Sequence, residues 1–523
     1  MLEFLKVLLR AFGQKPPTGA SLPAESSSGA DKIARNLVRR GQIVWAENPH
    51  AIHQAIVLVE RGWALLPSPE TALQLVIMYD RIGRHDSALE VLRLASKLFP
   101  ENEEVRCYAM TTLFRHGSFD DLKEYAASVL RRSPGDTFSR FVLETGDFFD
   151  AQVRSLVQHA GHRDRGLKSF FLTVAIWGDT YVDEFLRYAC AALLAPGNLP
   201  GLAISYSVDL VIFTTHDGQA RLEANPIFVR LLTSARISFH IYPSSMMVTR
   251  QSIEECYGPR LGEYYFRSLK FALMSTAHYV ALEAGRQVDA LVTAMGADNI
   301  FSDLALTRMA EKIEEGHDVV LVSGFRVHKA KVAERAEARY RKADGSFCLS
   351  SEDYVDLLIE NIPSEYFVDS PTFADFPLML CWRVPGEGVL VHANHYHPYC
   401  VAAGRLVHRL EPTIDPIDGH FLARHLPAAR LHLVQDASIV VSDWGDVPVL
   451  EQSVDGERRF SARDVGLWLW GFWDGVRAPL FRSPLRLRHG TGSQRWNEVE
   501  AAAAATIEEI VGVSSNCART SRS

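Results

Sequence analysis

The sequence lacks most of the short signatures that assign a function at sight. Its seven cysteines, at 107, 190, 256, 348, 381, 400 and 517, are scattered and odd in number. No Cys-x-x-Cys pair occurs, which speaks against a thiolate zinc site and a disulfide framework and fits a reducing cytoplasm. No apolar run is long enough to span a bilayer. No block of Lys or Arg stands out, and the formal net charge is −8 over 523 residues, so nucleic acid is not an expected partner. No G-x-G-x-x-G follows the first strand-like run, no Walker A sequence occurs, and no H-E-x-x-H helix supports a zinc hydrolase.

What is present is an ordinary globular composition, 47% hydrophobic and 23% charged, on a chain too long for one core. Met1 to Phe12 is apolar but carries Glu3, Lys6 and Arg10. It lacks a signal-peptide cleavage pattern and reads as a short amphipathic helix or a docked or frayed segment, with at most peripheral membrane contact. Pro, Gly, Ser and Ala make a linker of 14–30.

A repeat follows. In PETALQLVIMYDRIGRHDSALEVLRLASKLFP, starting at Pro69, residues Leu75, Tyr79, Gly83, Ala88, Leu92, Ala95 and Pro100 fall on the tetratricopeptide pattern. Gly117 and Pro134 continue it at the same offset, and Ala55 and Pro67 mark a weaker unit before it. The resemblance covers roughly 33–140 and implies paired antiparallel helices that stack into a curved surface. Partner binding and padding of the next domain are equal readings of that surface.

From about 168 the pattern changes to strands alternating with helices. Strand-like runs are expected at 169–178, 208–218, 237–243, 289–303 and 318–327, with helices at 181–194, 220–234, a long one ending at 285, and 304–315. Such alternation predicts a mainly parallel sheet covered on both faces, with ligands bound beyond the carboxyl ends of its strands. The polar residues there are Trp177 to Asp179, Thr214 to Gly218, and Gly296 to Asp303.

WGDTYVDEFLRYACAALLAPGNLP, LVIFTTHDG, AMGADNIFSD, GFRVHK, HANHYHP and TIDPIDGHF together resemble bacterial glycosyltransferase-like proteins of the GT-A nucleotide-diphospho-sugar transferase fold. The resemblance spans roughly 168–450. It implies an α/β, GT-A-like domain at 165–450, behind an all-α repeat domain at 31–155 and an N-terminal segment at 1–30. A helical extension at 451–513 and a disordered tail at 514–523 complete the layout. The family carries Asp-x-Asp after an apolar strand; this chain has Asp298-Asn299 and then Asp303, with no acid at 296 or 300.

A nucleotide-sugar donor loses a diphosphate, whose charge needs a divalent cation or basic groups. The resemblance therefore implies Mn²⁺ or Mg²⁺ near Asp298, the best candidate for a metal-linked catalytic carboxylate. Asp298 or Ser302 also suits a helix N-cap, and Asp303 suits either a metal or the helix dipole. Trp177, Asp179, Thr214, Thr215, His216, Asp217 and Asn299 are the expected nucleotide-binding groups; Asp217-Gly218 equally reads as a turn. His395 and His397 would share one face of an extended segment and could complete the cation site. Asp415 and Asp418 are candidates for the acceptor-side base, and Asp436 a weaker one. Trp468, Trp470 and Trp473 suit a sugar face or a core patch. Arg477, Arg482, Arg486 and Arg488 suit a diphosphate or a solvated helix. A surface-glycan, lipid-linked or protein acceptor completes the transferase reading; a degenerate GT-A fold acting as a scaffold is the competing one.

Overall fold

The computed structural model describes residues 29–48, 51–161, 166–370 without 324 and 328, 373–374, 378–434, 441–444, 460–470, 477–488 and 492–520. The N-terminal amphipathic segment and most of the linker, Asp436 and Trp473 lie outside the described residues. The chain folds into two compact units. One holds 1–139, 248–270 and the terminal 520–523; the other holds 140–247 and 271–519. The division falls earlier than the break at about 155 read from the sequence, and the first unit regains a segment from the middle of the chain.

The first unit is helical. Its helices are α1 (Gly29–Glu47), α2 (Ile52–Leu65), α3 (Pro69–Arg81), α4 (His85–Leu98), α5 (Glu103–His116) and α6 (Phe119–Arg132). Helices α5 and α6 start 34 residues after α3 and α4, as the repeat requires. Ser68 and Asn102, equivalent in the two repeats, cap α3 and α5 by accepting from Thr71 N and Val105 N, a contribution of about 1 kcal/mol each. Ala88 and Ala95 are fully buried and let the paired helices close. Gly83 turns α3 into α4 with φ of 71°, a conformation side chains resist.

Helix α7 (Thr137–Gly161) leads into the second unit. Its main sheet has seven strands: β1 (Lys168–Ala175), β2 (Tyr206–Thr214), β3 (Arg236–Ile241), β4 (Leu291–Met295), β6 (Val319–Ser323), β10 (Tyr396–Ala402) and β11 (Leu431–Leu433), in the order β11-β6-β10-β4-β1-β2-β3. All neighbours are parallel except β10, which runs antiparallel to both β4 and β6. The sheet is thus mixed and mostly parallel. Pro398 sits in β10 although proline cannot donate to a ladder; the register shifts between Pro398 and Cys400 to absorb it.

Two of the expected strands are shorter in the fold. The run 289–303 divides into β4 and β5 (Asn299–Phe301), and 318–327 into β6 and β7 (Phe325–Val327). β5 and β7 both pair with β12 (Val441–Trp444), forming a small second sheet. The run 208–218 ends as a strand at Thr214, because Thr215 caps a helix at His216–Glu223 by accepting from Gly218 N at 3.2 Å. A third sheet joins β8 (Met379–Val384), β9 (Gly388–Ala393) and β13 (Leu485–Arg488).

The C-terminal segment is therefore not a purely helical extension: it supplies β13 to a sheet. Nor is 514–520 a disordered tail, since the helix Gln494–Thr520 runs through it. Ser514 is buried there, and its hydroxyl donates to Gly466 O at 2.6 Å. Trp496, Ile507 and Ile510 of that helix are buried in apolar clusters. Trp470 is buried, and Trp468 packs against the cluster built around Leu469 and Ile510, so these two rings are packing groups. Arg482 pairs with Glu508 and Arg486 with Glu500, while Arg488 lies over the Trp496 ring. No helix among the described residues is long and apolar enough to cross a membrane.

Candidate functional site

Because β10 alone is reversed, the carboxyl ends of β1, β2, β3, β4, β6 and β11 share one rim with the amino end of β10. The chain leaves β1 for β2 on one side, while β4 lies on the other. The carboxyl ends of β1 and β4 are thus a switch point in the strand order, the kind of place where α/β sheets bind ligands. The loops holding 177–179, 214–218 and 296–303 follow β1, β2 and β4, so the rim brings them together.

Their side chains are arranged as follows. Trp177 stands edge-on to Tyr242, ring centroids 5.8 Å apart. Asp179 is exposed and ion-paired with Arg221, which also holds Asp183. Thr214 is buried, and its Oγ1 has no hydrogen-bond partner among the described residues. Gly218 packs onto it: a Cβ there would stand 2.2 Å from Thr214 Oγ1. Thr215 is occupied as the helix cap, and His216 and Asp217 are exposed in that helix's first turn rather than in a two-residue turn.

The acidic stretch after β4 is largely self-contained. Asn299 is buried; its Oδ1 accepts from Gly296 N at 2.6 Å and from the Tyr399 hydroxyl. Asp303 Oδ1 accepts from Gly197 N at 2.7 Å and Leu304 N at 3.0 Å, tying the 196–198 turn to the start of the next helix. Asp298 is half-buried and folds back over Gly296, where a Cβ would lie 2.7 Å from its Oδ1.

A denser group lies at the amino end of β10. His395 Nε2 is 2.7 Å from Asp418 Oδ2, and His397 Nδ1 is 3.7 Å from the same oxygen. The two rings stand edge to face, 5.0 Å apart. Ligand atoms of these three residues all lie within 4.8 Å of one another. Asp298 and Asp303 do not belong to this group, so the structure gathers the expected metal ligands only in part and adds Asp418, expected as a base. Asp415 is buried and serves its own loop: it accepts from His420 N at 3.0 Å and lies 3.8 Å from Arg424.

No local pattern singles out His278. It sits on the long helix Arg250–Val288, which is interrupted at Gly258, among apolar neighbours in sequence that read as core. Burial pushes its pKa down to about 4, against the opposing pull of Asp418 and with a smaller push from His397. Its Nδ1 is buried and has no hydrogen-bond partner among the described residues. Ser323 Oγ, at the rim end of β6, is likewise buried with no partner among the described residues. Orphaned polar atoms of this kind call for a water, an ion or a ligand group.

Fold and site together define a helical-repeat protein with an α/β unit that has a polar, imidazole-rich rim. No protein-family model matches the chain, and neither does any curated protein. Among solved structures it is similar to a mutant of the Thermobaculum terrenum O-GlcNAc transferase, at 12% identity and a TM-score of 0.19. The match covers 44% of this chain and 44% of that one. A superposition that loose sets neither fold nor activity.

Proposed function

We propose that the second unit is a glycosyltransferase of GT-A type that takes a nucleotide-sugar donor. One observation carries this reading: the His395–His397–Asp418 group at the rim, on the strand next to β4 and the β1–β4 switch point. Two imidazoles and a carboxylate suit Mn²⁺, which accepts nitrogen, better than Mg²⁺, which prefers oxygen alone. The buried Nδ1 of His278, without a partner among the described residues and within the field of Asp418 and His397, fits the same chemistry. Such a cation would offset the charge that develops on a departing diphosphate.

In this reading His395, His397 and Asp418 hold the cation, and Asp298 faces the donor from the end of β4. Trp177 offers a ring for stacking the base, and Thr214 a hydroxyl. Asp179, His216 and Asp217 are exposed donors and acceptors at the mouth. Asp415 keeps the 413–420 loop in shape, so that Asp418 stays in place. The acceptor is a glycan, lipid-linked or protein hydroxyl, and the repeats recruit it or a partner protein from the cytoplasm. A binding or scaffolding role has its own support: Asn299 and Asp303 are consumed by backbone contacts, leaving one carboxylate where the family carries two.

Melting curves with a panel of nucleoside diphosphates, with and without Mn²⁺, separate these. Stabilisation by one nucleotide that needs Mn²⁺ and vanishes in Asp418→Asn supports the transferase. If no nucleotide stabilises the wild-type chain under either condition, the scaffold reading stands and the transferase falls.

A further inference from the structure

The repeat unit contains a second group of metal-ligating side chains, unrelated to the rim. Asp80 lies in the last turn of α3, His85 opens α4 and His116 ends α5. The tight turn at Gly83 brings the first two together, with His85 Nδ1 3.3 Å from Asp80 Oδ1. The rings of His85 and His116 are stacked, centroids 3.7 Å apart and planes within 10°. One ligand atom from each of the three residues lies within 4.8 Å of the other two.

We propose that Asp80, His85 and His116 form a binding site for a borderline divalent cation, Zn²⁺ above all, at one end of the repeat helices. Two features argue for it. The donor set of two nitrogens and one carboxylate is the kind that zinc takes with water in the remaining position. The nearest cation in sequence, Arg84, is turned onto the Tyr79 ring, 5.1 Å from its centroid, and does not occupy the carboxylate.

Imidazole ligates through lone pairs in its ring plane, so one ring tilts out of the stack when the cation enters. Asp80 and His85 have about a third of their side-chain surface exposed, and His116 is also half-buried. The tilt therefore needs a rotamer change and no repacking. The cation would join the ends of three consecutive helices, which makes it a clamp on the repeat surface rather than a reaction centre.

The test uses the full chain, stripped with a chelator and carrying His395→Ala so that the rim group is disabled. Zn²⁺ is titrated calorimetrically and melting is followed in parallel. The expected result is one equivalent bound and a rise in melting temperature. Both should be lost, with affinity down ~100-fold or more, in His116→Gln and again in Asp80→Asn. Far-UV circular dichroism checks that each variant keeps its helices; if one does not, the other decides. Failure of the His395→Ala chain to take up Zn²⁺ at about 100 µM, or one equivalent bound undiminished in a folded variant, would overturn the proposal.

Discussion

Acid sensitivity offers a quantitative test of how the second unit is built. His278 and His240 are both buried, and burial lowers each pKa from 6.5 to about 4. His240 is also pinned as a neutral ring, Nδ1 to Gln152 Oε1 at 2.7 Å and Nε2 to the Ser238 hydroxyl at 3.0 Å. In the unfolded chain both rings titrate near 6.5, so below that pH the unfolded state binds protons that the folded state refuses. Stability is therefore full above pH 6.5 and falls as the pH drops toward 4. One pK unit corresponds to about 1.4 kcal/mol, so between pH 6.5 and 5 each ring should remove about 2 kcal/mol. Glu283, Glu337 and Glu500, whose pKa values are lowered by hydrogen bonds to arginine and other groups that outweigh burial, lose their contribution only as the pH falls below the usual carboxylate range. The window from 6.5 to 5 thus isolates the imidazoles. The assay is chemical denaturation across that window, in chelator, for wild type and His278→Gln. The variant should lose about 2 kcal/mol of the acid effect, whatever its stability at neutral pH. An unchanged slope in the variant, or a wild-type chain that gains stability on acidification, would refute the placement of a neutral His278 in the core.

Three further substitutions probe the architecture. Gly218→Ala puts a methyl group 2.2 Å from Thr214 Oγ1 and should cost about 1–3 kcal/mol by displacing the helix that starts at His216, read from melting curves. Gly83→Ala must hold φ at 71°; it should cost about 1–2 kcal/mol and appear in the melting of the repeat unit, not of the α/β unit. Trp496→Ala empties a site that is 1% exposed and lined by Val384, Leu390 and Ala503, and should cost roughly 3–5 kcal/mol. A null effect of that last change would mean the terminal helix does not pack on the β8–β9 pair.

The repeats are legible because their signal is spacing. Ala88, Ala95 and Pro100 are fixed by the geometry of one helix pair, and the 34-residue offset carries that geometry forward. The strands β1 to β4 and β6 are legible as apolar runs, and their order on the sheet follows from alternation only as far as "mainly parallel". The reversed β10 is not legible, since HYHPYCVA carries a proline that argues against a central strand until the bulge at 398–400 is seen. Boundaries shift where a polar residue does a local job. Thr215 reads as strand because it follows VIFT, yet its hydroxyl is a better helix cap than a ladder member. Ser514 reads as tail because SSNCARTSRS is polar, yet it faces a buried carbonyl.

The same distinction, between a side chain that serves its own backbone and one that faces outward, reorganises the candidate site. Asn299 and Asp303 stand at the expected place after β4, but their oxygens already accept from Gly296, Gly197 and Leu304. Side-chain oxygens so engaged are poorer partners for a cation, because ligation would compete with the hydrogen bonds they already accept from backbone N–H groups. Asp418 differs: its carboxylate lies beside the side chains of His395 and His397, groups that ligate metal themselves. That His395 and His397 face the same way follows from their spacing of two along an extended segment. That Asp418 and His278 meet them there depends on which way the 413–420 loop and the long helix return to the rim, and a single sequence does not encode that in any local pattern. The proposed cation site thus draws less on the acidic stretch after β4 than on the strand that runs against the rest of the sheet.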